Sequence, residues 1–266
     1  MTRVLVVGIV AAVVLKLLVT WLEPKAVFFP LRGEDETPER LGIPYQALRL
    51  RTSDAVEIAA WQLQPAQPKA DIVYFHGNGG NLSLWLPVLA TLHSMGYRVL
   101  AIDYRGYGAS EGRPSEAGIY RDAEAAARRG ASTRTVGRPL IYWGRSLGGA
   151  VAAAAARALP PDGLILESTF PDKSAVIRGS PVMRALNVFS SYRLDTVEML
   201  RGFTRPVLVV HAERDTVIPF ALGRELFERL EAPKTFVTLT GGDHNDLYQQ
   251  TNTAYWDPVH RFIAGL

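Results

Sequence analysis

The chain has 266 residues, with 29 basic and 26 acidic side chains, a net charge of +3 and no cysteine. That length suits one large α/β domain or two small ones, with room for a sizeable core. Charge is balanced without a block of one sign, so nothing points to nucleic acid, and no nucleic-acid partner is expected. The lack of cysteine excludes disulfides, thiolate metal sites and a cysteine nucleophile, and leaves the redox compartment open.

The chain opens on an apolar run. Val4 to Leu22 is interrupted only by Lys16 and Thr20, with Trp21 near its end. Nineteen helical residues reach roughly 28 Å, about one hydrocarbon core. Lys16 is expected to carry its ammonium to the headgroups, and Trp21, Phe28 and Phe29 suit the interface. A cleaved signal peptide would need a small-x-small site after the run, and VTWLEPKAVFFP has none. A buried core helix would need a polar face, which is nearly absent. Residues 1–22 are therefore expected to form a single-pass membrane anchor. Counting Arg3 against Lys25, Arg32 and Arg40 favours a cytoplasmic main domain, but long domains translocate regardless of such charges, so the side stays open.

Residues 23–45 hold Pro24, Pro30, Pro38 and Pro44 and read as a linker or surface strap. Residues 46–266 read as one domain. ALRLRT (47–52) and VEIAAWQL (56–63) alternate as a hairpin about Ser53-Asp54-Ala55. DIVYF (71–75) is a continuous apolar run, as in a buried parallel strand. A helix follows through Leu82, Trp85, Leu89 and Leu92, regular only from about Pro87. Strands are expected at 97–103, 139–143, 163–167, 206–210 and 235–239. Helices are expected at 117–129, ended by Gly130, and at 147–159, 220–230 and 253–266. This alternation gives an α/β fold, with a mostly parallel eight-stranded sheet covered by helices on both faces and antiparallel strands at one edge. Residues 168–203 are the longest interval without a strand, the place for a minimal cap.

WGRSLGG (143–149) contains G-x-S-x-G between a strand and an alanine-rich helix. A sharp turn there thrusts the Ser146 hydroxyl out of the sheet top, and the glycines give the turn room. The bland alternative is a helix N-cap serine between packing glycines. A serine nucleophile needs a base, and the base an orienting acid. Five histidines are available. His76 precedes a glycine loop, His93 and His260 lie in helices, and His211 follows a strand. His244, in TGGDHNDL after the last strand, best suits a base that must reach another loop. Asp215 follows PVLVVHAERD and completes the order Ser146, Asp215, His244, the chain order of α/β-hydrolases. It also suits a turn or N-cap aspartate. Glu167, at the end of an earlier strand, is the competing acid. Asp243 and Asp246 are too near His244 in sequence to orient it. Asp103 is expected to fix its own loop by pairing with Arg105.

Taken together, FHGNGGN (75–81), DYRGYGASEG (103–112), GRSLGGA (144–150), ESTF (167–170), HAERDTVIP (211–219) and GGDHNDL (241–247) resemble membrane-anchored α/β-hydrolase-domain proteins, the serine aminopeptidase-like or lysophospholipase-like hydrolases. The resemblance covers roughly residues 45–266 and implies the α/β-hydrolase fold. By it, Ser146 is the nucleophile, His244 the base and Asp215 the acid, with oxyanion N–H groups from Asn78 and Leu147. It implies acyl transfer to water from a carboxylic ester, thioester or amide through an acyl-enzyme. The cap interval is short for a large lid. Phe170, Phe189 and Phe220 fall in loops and are candidates to line an acyl pocket, although such residues as often only pack.

The expected partners are a small-molecule or lipid acyl substrate and, through the first helix, a membrane. No cofactor and no metal is expected, because the histidines lack ligand spacing. Nothing in the sequence sets an oligomeric state. A dinucleotide-binding unit is mimicked by Gly77-x-Gly79 and Asp103, but Leu82 stands where the third glycine belongs. A catalytically silent hydrolase fold serving as a membrane interaction module is the remaining alternative.

Overall fold

The computed structural model describes residues 2–245 and 253–266. In chain order it runs α1 (Thr2–Val27), β1 (Phe29–Pro30), β2 (Tyr45–Arg51), β3 (Glu57–Leu63), β4 (Ala70–Phe75), β5 (Gly79–Gly80), α2 (Leu82–Ser94), β6 (Tyr97–Ile102), α3 (Glu116–Ser132), β7 (Leu140–Arg145), α4 (Leu147–Ala158) and β8 (Gly163–Glu167). Three short helices follow, α5 (Lys173–Val176), α6 (Pro181–Asn187) and α7 (Thr196–Met199). β9 (Val207–Ala212), α8 (Phe220–Arg229), β10 (Lys234–Leu239) and α9 (Thr253–Ala264) complete it. The main sheet has eight strands in the order β10-β9-β8-β7-β4-β6-β3-β2. The six strands from β10 to β6 pair in parallel, and β3 and β2 add on antiparallel.

The sheet is apolar on both faces because helices cover both. β4 divides its side chains accordingly. Val73 and Phe75 join the core with Tyr142, Ala150 and Val151, while Ile72 and Tyr74 join the opposite core with Leu86, Leu89 and Trp143. α4 is alanine-rich and lies close on the sheet, with Leu147 through Ala156 all buried. Parallel strands put β4, β7, β8 and β9 with their C-terminal ends on one edge, the edge where α/β sheets carry their sites.

Three local expectations are corrected. α2 is helical from Leu82 rather than from Pro87, because Asn81 caps it, its Oδ1 accepting from the Leu84 amide at 3.2 Å. Gly130 does not end α3, which continues to Ser132. That glycine serves packing instead, since a Cβ on it would come within 2.5 Å of the Val73 side chain. Arg105 does not pair with Asp103. It bonds Asp54 at 2.8 Å and Asp122 at 2.9 Å, while Asp103 accepts the Leu82 amide at 3.0 Å.

α1 is exposed along Val4 to Val14 and is long and apolar enough to cross a membrane. It continues to Val27, past the expected boundary at residue 22. Its last turns are tied down. Glu23 is buried and accepts from the Ser191 amide at 2.9 Å and Lys173 Nζ at 3.1 Å. The segment after it crosses the sheet edge as a strap. β1 pairs in parallel with β5, Leu31 N donates to Gly80 O at 3.0 Å, and Gly33 N donates to Gly108 O at 3.1 Å.

Candidate active site

Ser146 sits between β7 and α4 with φ 53° and ψ −121°. A non-glycine residue at positive φ costs about 1–3 kcal/mol and persists only where its surroundings enforce it. The surroundings are the two glycines. A Cβ on Gly148 would lie 2.0 Å from the Phe75 carbonyl oxygen, and one on Gly144 would lie 2.1 Å from the Gly148 oxygen. Only glycine lets α4 start this close to β4. The Ser146 amide donates to the Glu167 carbonyl at 2.9 Å, and its carbonyl accepts from Thr169 Oγ1 at 2.7 Å. The turn is therefore locked from both sides.

The loop after β4 runs beside this turn. A Cβ built on Gly77 would stand 3.6 Å from the Ser146 Cβ. His76 is fully buried and is held within the loop. Its Nδ1 lies 2.7 Å from the Gly77 oxygen, and its ring packs on Tyr104 with centroids 4.3 Å apart. The Asn78 side chain faces the strap, where Nδ2 donates to the Val27 carbonyl and Oδ1 accepts from the Phe29 amide at 3.3 Å and from Tyr107 Oη at 3.0 Å. Among the described residues no acceptor takes the Asn78 amide proton. The Leu147 amide opens a helix, where no intrahelical acceptor exists.

His244 Nδ1 lies 2.8 Å from Asp215 Oδ2. Asp215 in turn accepts the Val217 and Ile218 amides on Oδ1, at 3.0 and 2.7 Å, as the turn reading expected. A second histidine joins it. His211 is fully buried, with Nε2 2.8 Å from the Ile218 carbonyl and 3.3 Å from Asp215 Oδ2. Both neighbours are acceptors, which assigns the proton to His211 Nε2. Burial pushes the Asp215 carboxyl up, but hydrogen bonds from His211, His244 and the Ile218 amide outweigh it and hold the group well below the usual carboxylate range. An ionised Asp215 accepts a hydrogen bond from His244 Nδ1–H, which leaves the ring's lone pair on Nε2.

The other acids are engaged elsewhere. Glu167 is buried and accepts from Trp143 Nε1 at 3.0 Å and Tyr255 Oη at 2.8 Å. Asp243 is tied to Thr216, whose amide and hydroxyl each donate to it at 2.8 Å, and so pins the His244 loop rather than the ring. Asp246 lies outside the described residues. Arg145, the variable residue inside G-x-S-x-G, has a role that the pattern did not disclose. It is buried beside Glu167 and donates to the His244 carbonyl, bracing the His244 loop from the serine turn. The signal for His211 was present in H-x-x-x-D, which sets His211 near the end of β9 and Asp215 on the turn after it.

Ser146 and His244 both line a cavity of about 530 Å³. Phe29, Leu84, Trp85, Val88 and Val217 form its apolar walls, and Gly77, Asn78, Arg145 and Asn245 its polar ones. Phe170 lies in the core, and Phe220 packs edge-on against His211 and Phe236. The Phe189 carbonyl accepts from Lys16 at 2.9 Å. None of these three phenylalanines is among the lining residues, whose aromatic rings come from Phe29 and Trp85. Phe29 belongs to the strap, which sequence periodicity does not assign to a site. Among the described residues no three His, Asp or Glu side chains gather as metal ligands would.

Comparison with known proteins agrees with this architecture. The family described as serine aminopeptidase, S33, matches residues 66–199, and that described as TAP-like protein matches residues 188–265. The α/β hydrolase domain-containing protein WAV2 of Arabidopsis thaliana is 30% identical over 96% of this chain and 91% of its own length. The lysophosphatidylserine lipase ABHD12 of Danio rerio is 38% identical over 59% of this chain, and the match spans 46% of that protein. An esterase structure from Pyrococcus furiosus superposes with a TM-score of 0.72 at 21% identity, covering 90% of this chain and 97% of that one. The chain belongs to the serine aminopeptidase S33 family of α/β-hydrolase-fold proteins. Membership of that family and the likeness to lysophosphatidylserine lipases support hydrolase function.

Proposed function

We propose that this protein is a membrane-anchored serine hydrolase that cleaves a carboxylic ester of an acyl lipid. Ser146 is the nucleophile, His244 the general base and then acid, and Asp215 the group that orients His244. The observation that carries the reading is the pairing of His244 Nδ1 with Asp215 at 2.8 Å in the wall of the same cavity that holds the strained Ser146.

In this mechanism His244 Nε2 takes the Ser146 proton as Oγ attacks the acyl carbon. The amides of Asn78 and Leu147 receive the developing oxyanion, each worth about 3 kcal/mol where the site excludes water. The imidazolium, held by ionised Asp215, then protonates the leaving alcohol. Water repeats the sequence and releases the acid. The strained turn favours this course because it presents Oγ at the mouth of the sheet.

An ester of an acyl chain is favoured over an aminoacyl amide by the cavity walls. They are aliphatic and aromatic, and among the described residues they include no carboxylate to receive a substrate ammonium. The lysophosphatidylserine lipases among the relatives support a lipid substrate, and the exposed apolar α1 supports an anchor. Hydrolysis of a series of acyl esters, thioesters and aminoacyl amides by the full chain and by Ser146→Ala tests the reading. Ester cleavage lost in Ser146→Ala is expected. Wild-type protein inert to the whole series would instead favour a catalytically silent module.

A further inference from the structure

The segment between β8 and β9 carries a surface that the fold leaves uncovered. α6 buries none of its residues. Val182, Met183 and Leu186 on it, and Val188 directly after it, are exposed, Val188 by 81%. A helix that turns its aliphatic side chains outward gains nothing from its own protein and marks a surface meant for another phase or partner.

Its neighbour identifies the phase. Lys16, inside the apolar run of α1, donates from Nζ to the Phe189 carbonyl at 2.9 Å and to Ser191 Oγ at 3.1 Å. Seven residues further on, Glu23 receives the Ser191 amide at 2.9 Å and the Tyr192 amide at 3.3 Å. Seven helical residues rise about 10 Å. Ser191 meets both groups, the long Lys16 side chain reaching down to it, so the chain directly after α6 lies against α1. An ammonium within an apolar span is costly unless it finds acceptors, and here the segment after α6 supplies them. Val188 is thus next in the chain to Phe189, whose carbonyl meets Lys16 inside the apolar, exposed span of α1. The cavity mouth is at the same sheet edge, rimmed by the exposed side chains of Phe29, Leu84 and Val217.

We infer that α6 and Val188 insert into the interfacial layer of the bilayer that α1 enters, so that the candidate active site opens onto the lipid surface. The partner is a phospholipid bilayer. The inference rests on the anchor reading of α1, and the bond from Lys16 in that span to Phe189, next to Val188, argues for lipid rather than protein. Arg184 is the one charged residue of α6, suited to a headgroup phosphate as interfacial helices commonly arrange their basic groups.

The absence of cysteine makes the test direct. Full-length protein carrying Val188→Cys, Val14→Cys or Val136→Cys is labelled with an environment-sensitive dye. Each is then reconstituted in phosphatidylcholine–phosphatidylglycerol vesicles with or without spin-labelled lipid. Val136 is 96% exposed and lies before β7, at the opposite end of the sheet. The inference expects blue-shifted emission and quenching by the spin-labelled lipid at positions 188 and 14, and neither at 136. Quenching at 14 alone would overturn it and leave the anchor standing. Quenching at neither 14 nor 188 would overturn the anchor and the inference together. Emission at 188 that is shielded yet insensitive to the lipid quencher would assign the surface to a second copy or another protein, and would also overturn it.

Discussion

The side-chain amide of Asn78 donates to the carbonyl of Val27, the last residue of α1. The same side chain accepts the Phe29 amide, so the loop beside Ser146 is clasped to the chain that leaves the apolar helix. A loop held this way keeps its own amide pointed without a contribution from bound ligand.

Removing the clasp tests its part in catalysis. Asn78→Ala keeps the backbone donor and the bond from Tyr107 Oη to the residue 78 carbonyl, but frees the loop from Val27 and Phe29. Displacements of this kind cost up to about 100-fold in rate. The expected result is a kcat lowered about 10- to 100-fold with little change in KM, measured on a soluble acyl ester. A KM increase at unchanged kcat would point to a binding role instead.

The two candidate acids separate in a paired substitution. Asp215→Asn removes the group that orients His244 and is expected to lower kcat about 10³- to 10⁴-fold. Glu167→Gln perturbs the contacts with Trp143, Tyr255 and Arg145, and is expected to cost about 1–3 kcal/mol of stability while the folded protein keeps its turnover. Initial rates and thermal melts on both variants check this. The reverse ranking of rates would move the acid role to Glu167.

Asp215 also sets a pH dependence of stability. Its carboxyl is depressed in the folded chain, so its stabilisation is complete above the unfolded value of about 3.9. The stabilisation is lost as pH falls from there through the lower folded value. The stability gap between wild type and Asp215→Asn should therefore be constant above about pH 5 and shrink below about pH 4. Urea unfolding across that range reads it. A gap that widens on acidification would contradict the assigned direction.

Much of this arrangement was legible in the sequence, and the exceptions share a cause. The eight strands and the serine turn follow from apolar runs and from glycines that only a tight turn needs, while the proposed order of Ser146, Asp215 and His244 comes from loop placement and the family resemblance. The strap was not legible as part of the site, because two-residue strands such as Phe29–Pro30 and Gly79–Gly80 carry no periodicity. Arg145, His211 and Arg105 were missed or misassigned for a related reason. Their partners, the His244 carbonyl, the Ile218 carbonyl and the Asp54–Asp122 pair, are backbone or distant groups that spacing does not reveal. Gly130 reads as a helix stop by composition, yet it is the close approach of Val73 that requires it.

The turn that holds Ser146 gives a stability prediction. In Gly148→Ala the new methyl would meet the Phe75 carbonyl at 2.0 Å, a backbone atom in a central strand that cannot swing aside. A loss of about 3 kcal/mol or more is expected, in the range of severe core overpacking. Denaturant titration measures it. A variant as stable as wild type would mean that α4 and β4 are less closely apposed than described.

The central claim is that Ser146 is an activated nucleophile, and covalent capture tests it most directly. Wild-type protein treated with a fluorophosphonate and analysed by intact and peptide mass spectrometry should carry one adduct, on Ser146. Ser146→Ala should carry none, and Asp215→Asn should react far more slowly. A wild type that stays unmodified, or an adduct that persists in Ser146→Ala, would contradict the account.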